Sequence, residues 1–382
     1  MLAARFHHRH PPQLINSPRL SIQSLHRACA VTEMSSNVTP VPYQPGRPLQ
    51  LQILRRCGDL SLSQSITARI LKVLSMTMSP VMEVSIKTRS GSEFRAVLKL
   101  YDRRFGRNFR EIRGKHAPHT AADEVAFRSF VRQGKMAPFL RMLEHDKKTA
   151  DIALRSYRYY DSTAEGKAKF EAAMWQECIE HFECETEAYA RLRDLQGKLI
   201  PHMYAHVCIA PSDLGVPADL LQSQTAPYFE VRGVLLEVID GYRLWDIATS
   251  QGAPADPKQW PAIIQAAADA AHMINKRGVL MEDCAPRNVI VETRLQKPFI
   301  IDLAQCLFKD KMVRRWLENG YADDDDDWDP EEEYWERARQ HSNPAAIGVV
   351  MRTRLLQQKG MKLDIKFPDY EKIMAEVERT NK

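Results

Sequence analysis

Three polar residues constrain this chain more than its composition does: Asp283, Asn288 and Asp302 stand beside two short apolar runs. Asn288 opens the run Asn288–Val291, and Asp302 follows the run Phe299-Ile300-Ile301. A short polar link, Glu292 to Lys297, joins the two runs, so they are expected to pair as a hairpin. The open end of that hairpin then holds Asn288 and Asp302 side by side. Asp283 lies five residues before Asn288, within reach of the same point. Two oxygen-bearing side chains meeting there suit magnesium, a hard cation that usually binds together with nucleotide phosphates.

The first half of the chain offers a matching cation. Residues Ile70–Leu74, Val81–Ile86 and Phe94–Tyr101 read as strands, separated by turns at Ser75–Pro80 and Arg89–Ser92. Lys99 lies in the third strand, where alternation places it with Val97 and Tyr101, opposite Ala96, Leu98 and Leu100. A long helix is expected from about Lys167 to Leu195, stopping at Gly197. On it Phe182, Glu185, Tyr189 and Leu192 share one stripe, while Glu183 and Glu187 face solvent. A carboxylate on an apolar stripe needs a cation, because a buried unpaired charge is expensive. Lys99 answers that need; a nearby arginine is the other candidate partner.

These residues resemble the protein-kinase-like superfamily. Asp283 to Asn288 looks like the catalytic loop H-R-D-x-x-x-x-N, Ile301-Asp302-Leu303-Ala304 like the D-F-G segment, and Ala96-Val97-Leu98-Lys99 like V-A-I-K. The phrases Lys99-Leu100-Tyr101-Asp102-Arg103-Arg104-Phe105, Leu195-Gln196-Gly197 and Asn343-Pro344-Ala345-Ala346-Ile347-Gly348 are similar to a divergent, compact group of such proteins from fungi. The resemblance implies an α+β, two-lobed kinase-like fold that binds ATP and magnesium. By it, Asp283 would orient and deprotonate an acceptor hydroxyl, with Lys99 and Glu185 as its catalytic pair. Asn288 and Asp302 would hold the metal, and Lys99 would reach the phosphates. Arg287 would add a cation, and the backbone of Glu237, Val238 and Ile239 would meet the adenine edge.

The sequence also departs from that pattern. Ser75 to Pro80 contains no glycine, although glycine lets backbone approach phosphates closely. Met281 and Glu282 replace the His and Arg of the catalytic loop, and Ala285 replaces a common lysine. Eighty-six residues separate Lys99 from Glu185, so residues 103–178 form an inserted helical element, with an amphipathic helix near Ala121–Glu144. No A-P-E follows Asp302, and the 80 residues beyond it hardly hold a peptide-binding subdomain. Expected organisation is therefore a disordered or targeting tail (1–45), a sheet-rich N-lobe (46–235) and a reduced helical C-lobe (236–382). Short strands return at Met203–Ile209 and Val231–Val238, followed by a helix over Pro261–Lys276. An acidic segment and two helices complete the chain. The competing function is a pseudokinase, an ATP-binding interaction module that recruits partners through the insertion or the acidic run Asp323–Glu333.

Composition bounds the remaining choices. No apolar run approaches the roughly 20 residues that span a bilayer, and a net charge of +5 does not argue for nucleic acid. Seven dispersed cysteines without a C-x-x-C pair fit reduced thiols in a cytoplasmic protein better than a disulfide frame or zinc site. Residues 1–32 carry Arg5, Arg9, Arg19 and Arg27 with no acid before Glu33, the composition of a mitochondrial targeting segment. The other readings of that stretch are a disordered tail, or untranslated sequence ahead of a start at Met34. Asp323–Glu333 holds nine acids in eleven positions, a pattern that usually marks a solvated loop.

Overall fold

The structure, a computed structural model, describes residues 38–58, 60–88, 91–149, 155–321 and 328–381. The targeting stretch, the alternative start at Met34, and Asp323–Asp327 of the acidic run lie outside the described residues. So do Arg89 and Ser90 of the second expected turn. The chain is of mixed α and β structure.

Its strands are β1 (Pro48–Arg56), β2 (Ser65–Ser75), β3 (Val81–Lys87), β4 (Glu93–Tyr101), the small hairpin β5 (Glu111–Ile112) and β6 (Lys115–His116), β7 (Met203–Ile209) and β8 (Val231–Leu236). Six of them close into an antiparallel barrel in the order β1-β2-β3-β4-β8-β7. Alternation is the cause. Ile66, Ala68 and Ile70 of β2, Met82, Val84 and Ile86 of β3, and Ala96, Leu98 and Leu100 of β4 all enter one buried core. Burying each large aliphatic side chain contributes about 1.5–3 kcal/mol. The expected first strand thus lengthens to Ser65–Ser75, whereas Val231–Val238 shortens at Leu236. β1 was not expected. It pairs with β2 (Leu51 opposite Ile66) and with β7 (Ile53 opposite Val207), leaving the sheet without a free edge.

Residues 38–45, expected within a disordered tail, belong to this packed unit. Val38 bridges to Thr120, and Tyr43, 3% exposed, donates its hydroxyl to Asp102 at 2.6 Å. The expected helix over Ala121–Glu144 is two helices, α1 (Ala121–Arg132) and α2 (Met136–Thr149). They part at Gly134, whose φ of +67° no helix continues through. Helix α3 (Ala164–Arg191) is the expected long helix. It begins at Thr163, whose side chain accepts from the Gly166 amide, and a 3-10 turn at Arg193–Leu195 ends it before Gly197.

The rest of the chain is β9 (Gly241–Arg243), α4 (Trp260–Asn275), β10 (Val279–Met281), β11 (Val289–Glu292), β12 (Lys297–Ile300), β13 (Cys306–Phe308), α5 (Lys309–Glu318), α6 (Pro330–His341), α7 (Asn343–Lys359) and α8 (Tyr370–Asn381). Among the described residues, four helices therefore follow Asp302 where two were expected. Helix α4 is rich in alanine: Ala267, Ala268, Ala270 and Ala271 are buried with Ile263, Ile264 and Ile274. They share a core with Ile347, Met351 and Leu355 of α7 and with Val289, Val291 and Ile300 of the β11–β12 pair. Among the described residues no helix is long and apolar enough to cross a membrane.

Candidate functional site

The outer face of β4 carries Val97, Lys99 and Tyr101 away from the barrel core and toward α3. The Lys99 Nζ lies 2.9 Å from Oε2 of Glu185 on α3 and 2.7 Å from Oδ1 of Asp302. Three residues from three distant stretches therefore meet at one amine. The Glu185 side chain is fully buried and that of Lys99 is 7% exposed. Glu185 also accepts from the Tyr101 hydroxyl and, at 3.3 Å, from the Leu303 amide, so its charge meets three donors. The stripe of Phe182, Glu185, Tyr189 and Leu192 is buried throughout, while Glu183 is exposed and Glu187 pairs with Arg191 and Lys311. Burial alone would push the Lys99 amine down, but Asp302 and Glu185 outweigh it and hold the amine above its ordinary value. The same amine holds the Asp302 carboxyl below its ordinary value against the pull of burial. Burial and Glu185 together raise the Tyr101 phenol.

The second half of the site is built by the β11–β12 hairpin. Val289 pairs with Ile300, and the Ile301 amide donates to the Asn288 carbonyl at 2.9 Å, which sets Asn288 beside the turn into Asp302. Asp302 has φ +67°, a left-handed conformation that aspartate tolerates better than most residues. The Asn288 Nδ2 donates to the Asp283 carbonyl at 2.9 Å and to its Oδ2 at 3.1 Å. Arg287 donates to the other oxygen of the same carboxylate. The strand leading to Asp283 is fixed from α7: the buried Asn343 amide bonds both backbone groups of Met281, at 2.7 and 3.1 Å.

Asn288 commits its amide nitrogen to Asp283, and its backbone carbonyl accepts from the Ile301 amide next to Asp302. Among the described residues no cluster of three or more His, Cys, Asp or Glu side chains could enclose a metal alone. One carboxylate and one amide oxygen fit magnesium, which commonly takes one or two protein oxygens and completes its shell with phosphate and water.

Lys99, Asp283 and Asp302 line one cavity, together with Met78, Ser79, Phe109 and His181. Glu185 lies behind it, bonded to the lining residues Lys99 and Tyr101, and Arg287 and Asn288 lie behind it, bonded to Asp283. Phe109 and His181 were not expected there. Helical period was the available signal for His181, which lies one turn before Glu185. Burial and the Lys99 charge push its imidazole down.

The glycine-free loop Ser75–Pro80 covers this cavity and is tied to the segment after β4. The Arg107 and Asn108 amides donate to the Met76 and Thr77 carbonyls, at 2.8 and 2.9 Å. Gly106 permits this approach: its φ is +147°, and a Cβ there would stand 2.6 Å from the Met78 oxygen. Arg110 anchors the same segment to α3, donating to the buried Glu171 at 2.6 Å, and Arg103 bonds the other oxygen of that carboxylate. The inserted element therefore begins with a strap across the loop rather than with a helix.

At the far end, β8 leads into Glu237–Ile239. The Glu237 amide donates to the His202 carbonyl at 2.8 Å, and its carboxylate accepts from the His202 amide at 2.9 Å. That amide is therefore not free for a ligand. Among the described residues, the Glu237 carbonyl and the Val238 and Ile239 backbone groups take no backbone partner.

No known protein-family model and no curated protein matches the sequence. Among solved structures, the chain is similar to the kinase domain of Mycobacterium tuberculosis PknI, in two mutant forms. A singly substituted form gives 14% identity over 62% of this chain and 59% of that one, and a doubly substituted form 12% over 62% and 60%. The chain thus spans about three-fifths of those structures. The TM-score is 0.29 for each, too loose a superposition to bear on fold or function.

Proposed function

We propose that this chain is an ATP- and magnesium-dependent phosphotransferase of the two-lobed protein-kinase-like fold, acting on a hydroxyl acceptor. One observation carries the reading: the Lys99 amine, buried between Glu185 and Asp302, lines the same cavity as Asp283. A structural ion pair alone gives no reason for a second carboxylate, or for an adjoining Asp–Asn–Arg cluster at the cavity wall. In this reading Glu185 positions Lys99, and Lys99 binds phosphate oxygens. The free carbonyl of Glu237 and the backbone of Val238 and Ile239 meet the adenine edge. Asn288 and Asp302 hold the magnesium, which when bound neutralises phosphate charge. Asp283 orients the acceptor hydroxyl and accepts its proton as the oxygen forms its bond to the γ-phosphorus and the bond to the β-phosphate oxygen breaks. Arg287 holds the Asp283 carboxylate in place and adds positive charge beside the phosphates. The acceptor is a protein serine or threonine, or a small molecule.

A second reading is an ATP-binding pseudokinase that engages partners through the insertion or the acidic run. The loop Ser75–Pro80 favours it, since the strap holds that loop without any glycine of its own. Thermal unfolding with and without magnesium and ATP tests the shared part. Ligand near a hundredfold over its dissociation constant stabilises by about 2.7 kcal/mol. Wild type should show that shift and Asp302→Ala should lose it. No shift in wild type sinks both readings; an equal shift in the variant removes Asp302 from the metal site. Asp283→Asn then separates them, because an enzyme loses phosphate transfer while keeping the shift.

A further inference from the structure

Helix α3 touches the chain beyond Asp302 through sulfur. The Cys306 amide donates to the Cys184 Sγ at 3.2 Å, and that sulfur lies 3.5 Å from the Cys306 carbonyl and 3.8 Å from the Leu303 carbonyl. Cys184 is half-buried and Cys306 is 8% exposed. A hydrogen bond from Cys306 lowers the Cys184 thiol, whereas Cys57, Cys178, Cys208, Cys284 and Cys306 are all raised. Burial pushes Cys284, for example, up to about 12. The amide donor to its sulfur and its partial exposure favour the Cys184 thiolate, the form that attacks peroxide.

We propose that Cys184 and Cys306 are an oxidation site, forming an intramolecular disulfide in response to hydrogen peroxide. Cys184 is the attacking thiolate and Cys306 the resolving thiol. In the first step an S–O bond forms at Cys184 as the peroxide O–O bond breaks, leaving a sulfenic acid and hydroxide. In the second step the Cys306 sulfur attacks Cys184, the S–S bond forms and the S–O bond breaks. The departing hydroxide takes the Cys306 proton and leaves as water. Two thiols are oxidised by two electrons, and one peroxide is reduced to two waters. The bond would join α3, one residue before Glu185, to the segment four residues after Asp302, and would fix the two carboxylates that hold Lys99 relative to one another. The proposal does not depend on the chain being a phosphotransferase.

The test treats the full chain with hydrogen peroxide, blocks remaining thiols by alkylation, and maps peptides by mass spectrometry without reductant. The expected product is a Cys184–Cys306 peptide pair, lighter by two hydrogens than its parts and separated by dithiothreitol. Cys57→Ser, which removes the exposed thiol, should leave it unchanged; Cys184→Ser and Cys306→Ser should each abolish it. Cys184 remaining as alkylatable as in untreated protein would overturn the proposal. So would Cys184 recovered as a sulfinic acid, or joined to any other cysteine. The linkage is read on the wild-type chain, so a serine variant that fails to fold does not remove the test.

Discussion

Replacing Lys99 with methionine keeps most of the side-chain stem and deletes only the charge. Glu185, whose side chain is wholly buried, then faces just the Tyr101 hydroxyl and the Leu303 amide. Breaking a buried pair by removing one partner costs about 3–5 kcal/mol, because the surviving charge is uncompensated. Glu185→Gln is milder, about 1–3 kcal/mol, since Lys99 keeps Asp302 and no lone anion remains. The double variant Lys99→Met, Glu185→Gln has no unpaired buried charge at Glu185. It should therefore be more stable than Lys99→Met alone, by about 2 kcal/mol, within the usual range for coupled neighbours. Asp302→Asn should cost less than about 1 kcal/mol, because that side chain is 36% exposed and solvent screens it. Urea unfolding followed by tryptophan fluorescence measures all four. A double variant as unstable as the sum of the single ones would refute the claim that Lys99 is there to neutralise Glu185.

Further outcomes follow from the surroundings of the site. Gly106→Ala forces a Cβ to 2.6 Å from the Met78 oxygen at a φ of +147°, so it should cost about 1–3 kcal/mol. It should also speed hydrogen exchange at the Arg107 and Asn108 amides; unchanged exchange would show that the strap does not hold the loop. Arg110→Met leaves the buried Glu171 with Arg103 as its remaining guanidinium and should lower the melting temperature markedly, at about 3–5 kcal/mol. Burial and the Arg55 charge push His206 on β7 down to about 4. The unfolded value is about 6.5, so the stability this neutral histidine contributes is present above that pH and lost as pH falls toward 4. His206→Gln should flatten that part of the stability–pH curve, and an unchanged curve would remove His206 as its cause.

The parts of the site that were legible in the sequence rest on local period and on the expense of a lone buried charge. Alternation placed Lys99 on the outer face of β4, and a step of three or four placed Glu185 among Phe182, Tyr189 and Leu192. Once both were known to be sheltered, little else could neutralise either. The hairpin from Asn288 to Asp302 was equally local. β1 carried a visible signal, with Leu49, Leu51 and Ile53 alternating with Gln50 and Gln52. Its closure of the barrel depends on β7, some 150 residues away, and no local pattern encodes such a pairing. Segment 38–45 escaped for a similar reason, because Tyr43 is held by Asp102, a partner distant in sequence. The helix over Ala121–Glu144 failed at Gly134, where amphipathic period continued while the backbone turned.

The loop Ser75–Pro80 owes its position to a glycine outside it. Close approach of two backbones requires that one of them lack a Cβ, but the requirement does not say which. In the fold, the approaching backbone is the strap, and its residue facing the Met78 carbonyl is Gly106. A loop held this way gains its position from Arg107 and Asn108, which are fixed through Arg110 to α3, the helix that also carries Glu185. Any shift of α3 must therefore act on the loop and on the Lys99 amine together. Gly106→Ala is expected to weaken magnesium–nucleotide stabilisation as well as the fold. Stabilisation by the nucleotide that survives intact in Gly106→Ala would show that the cover of the cavity contributes nothing to binding.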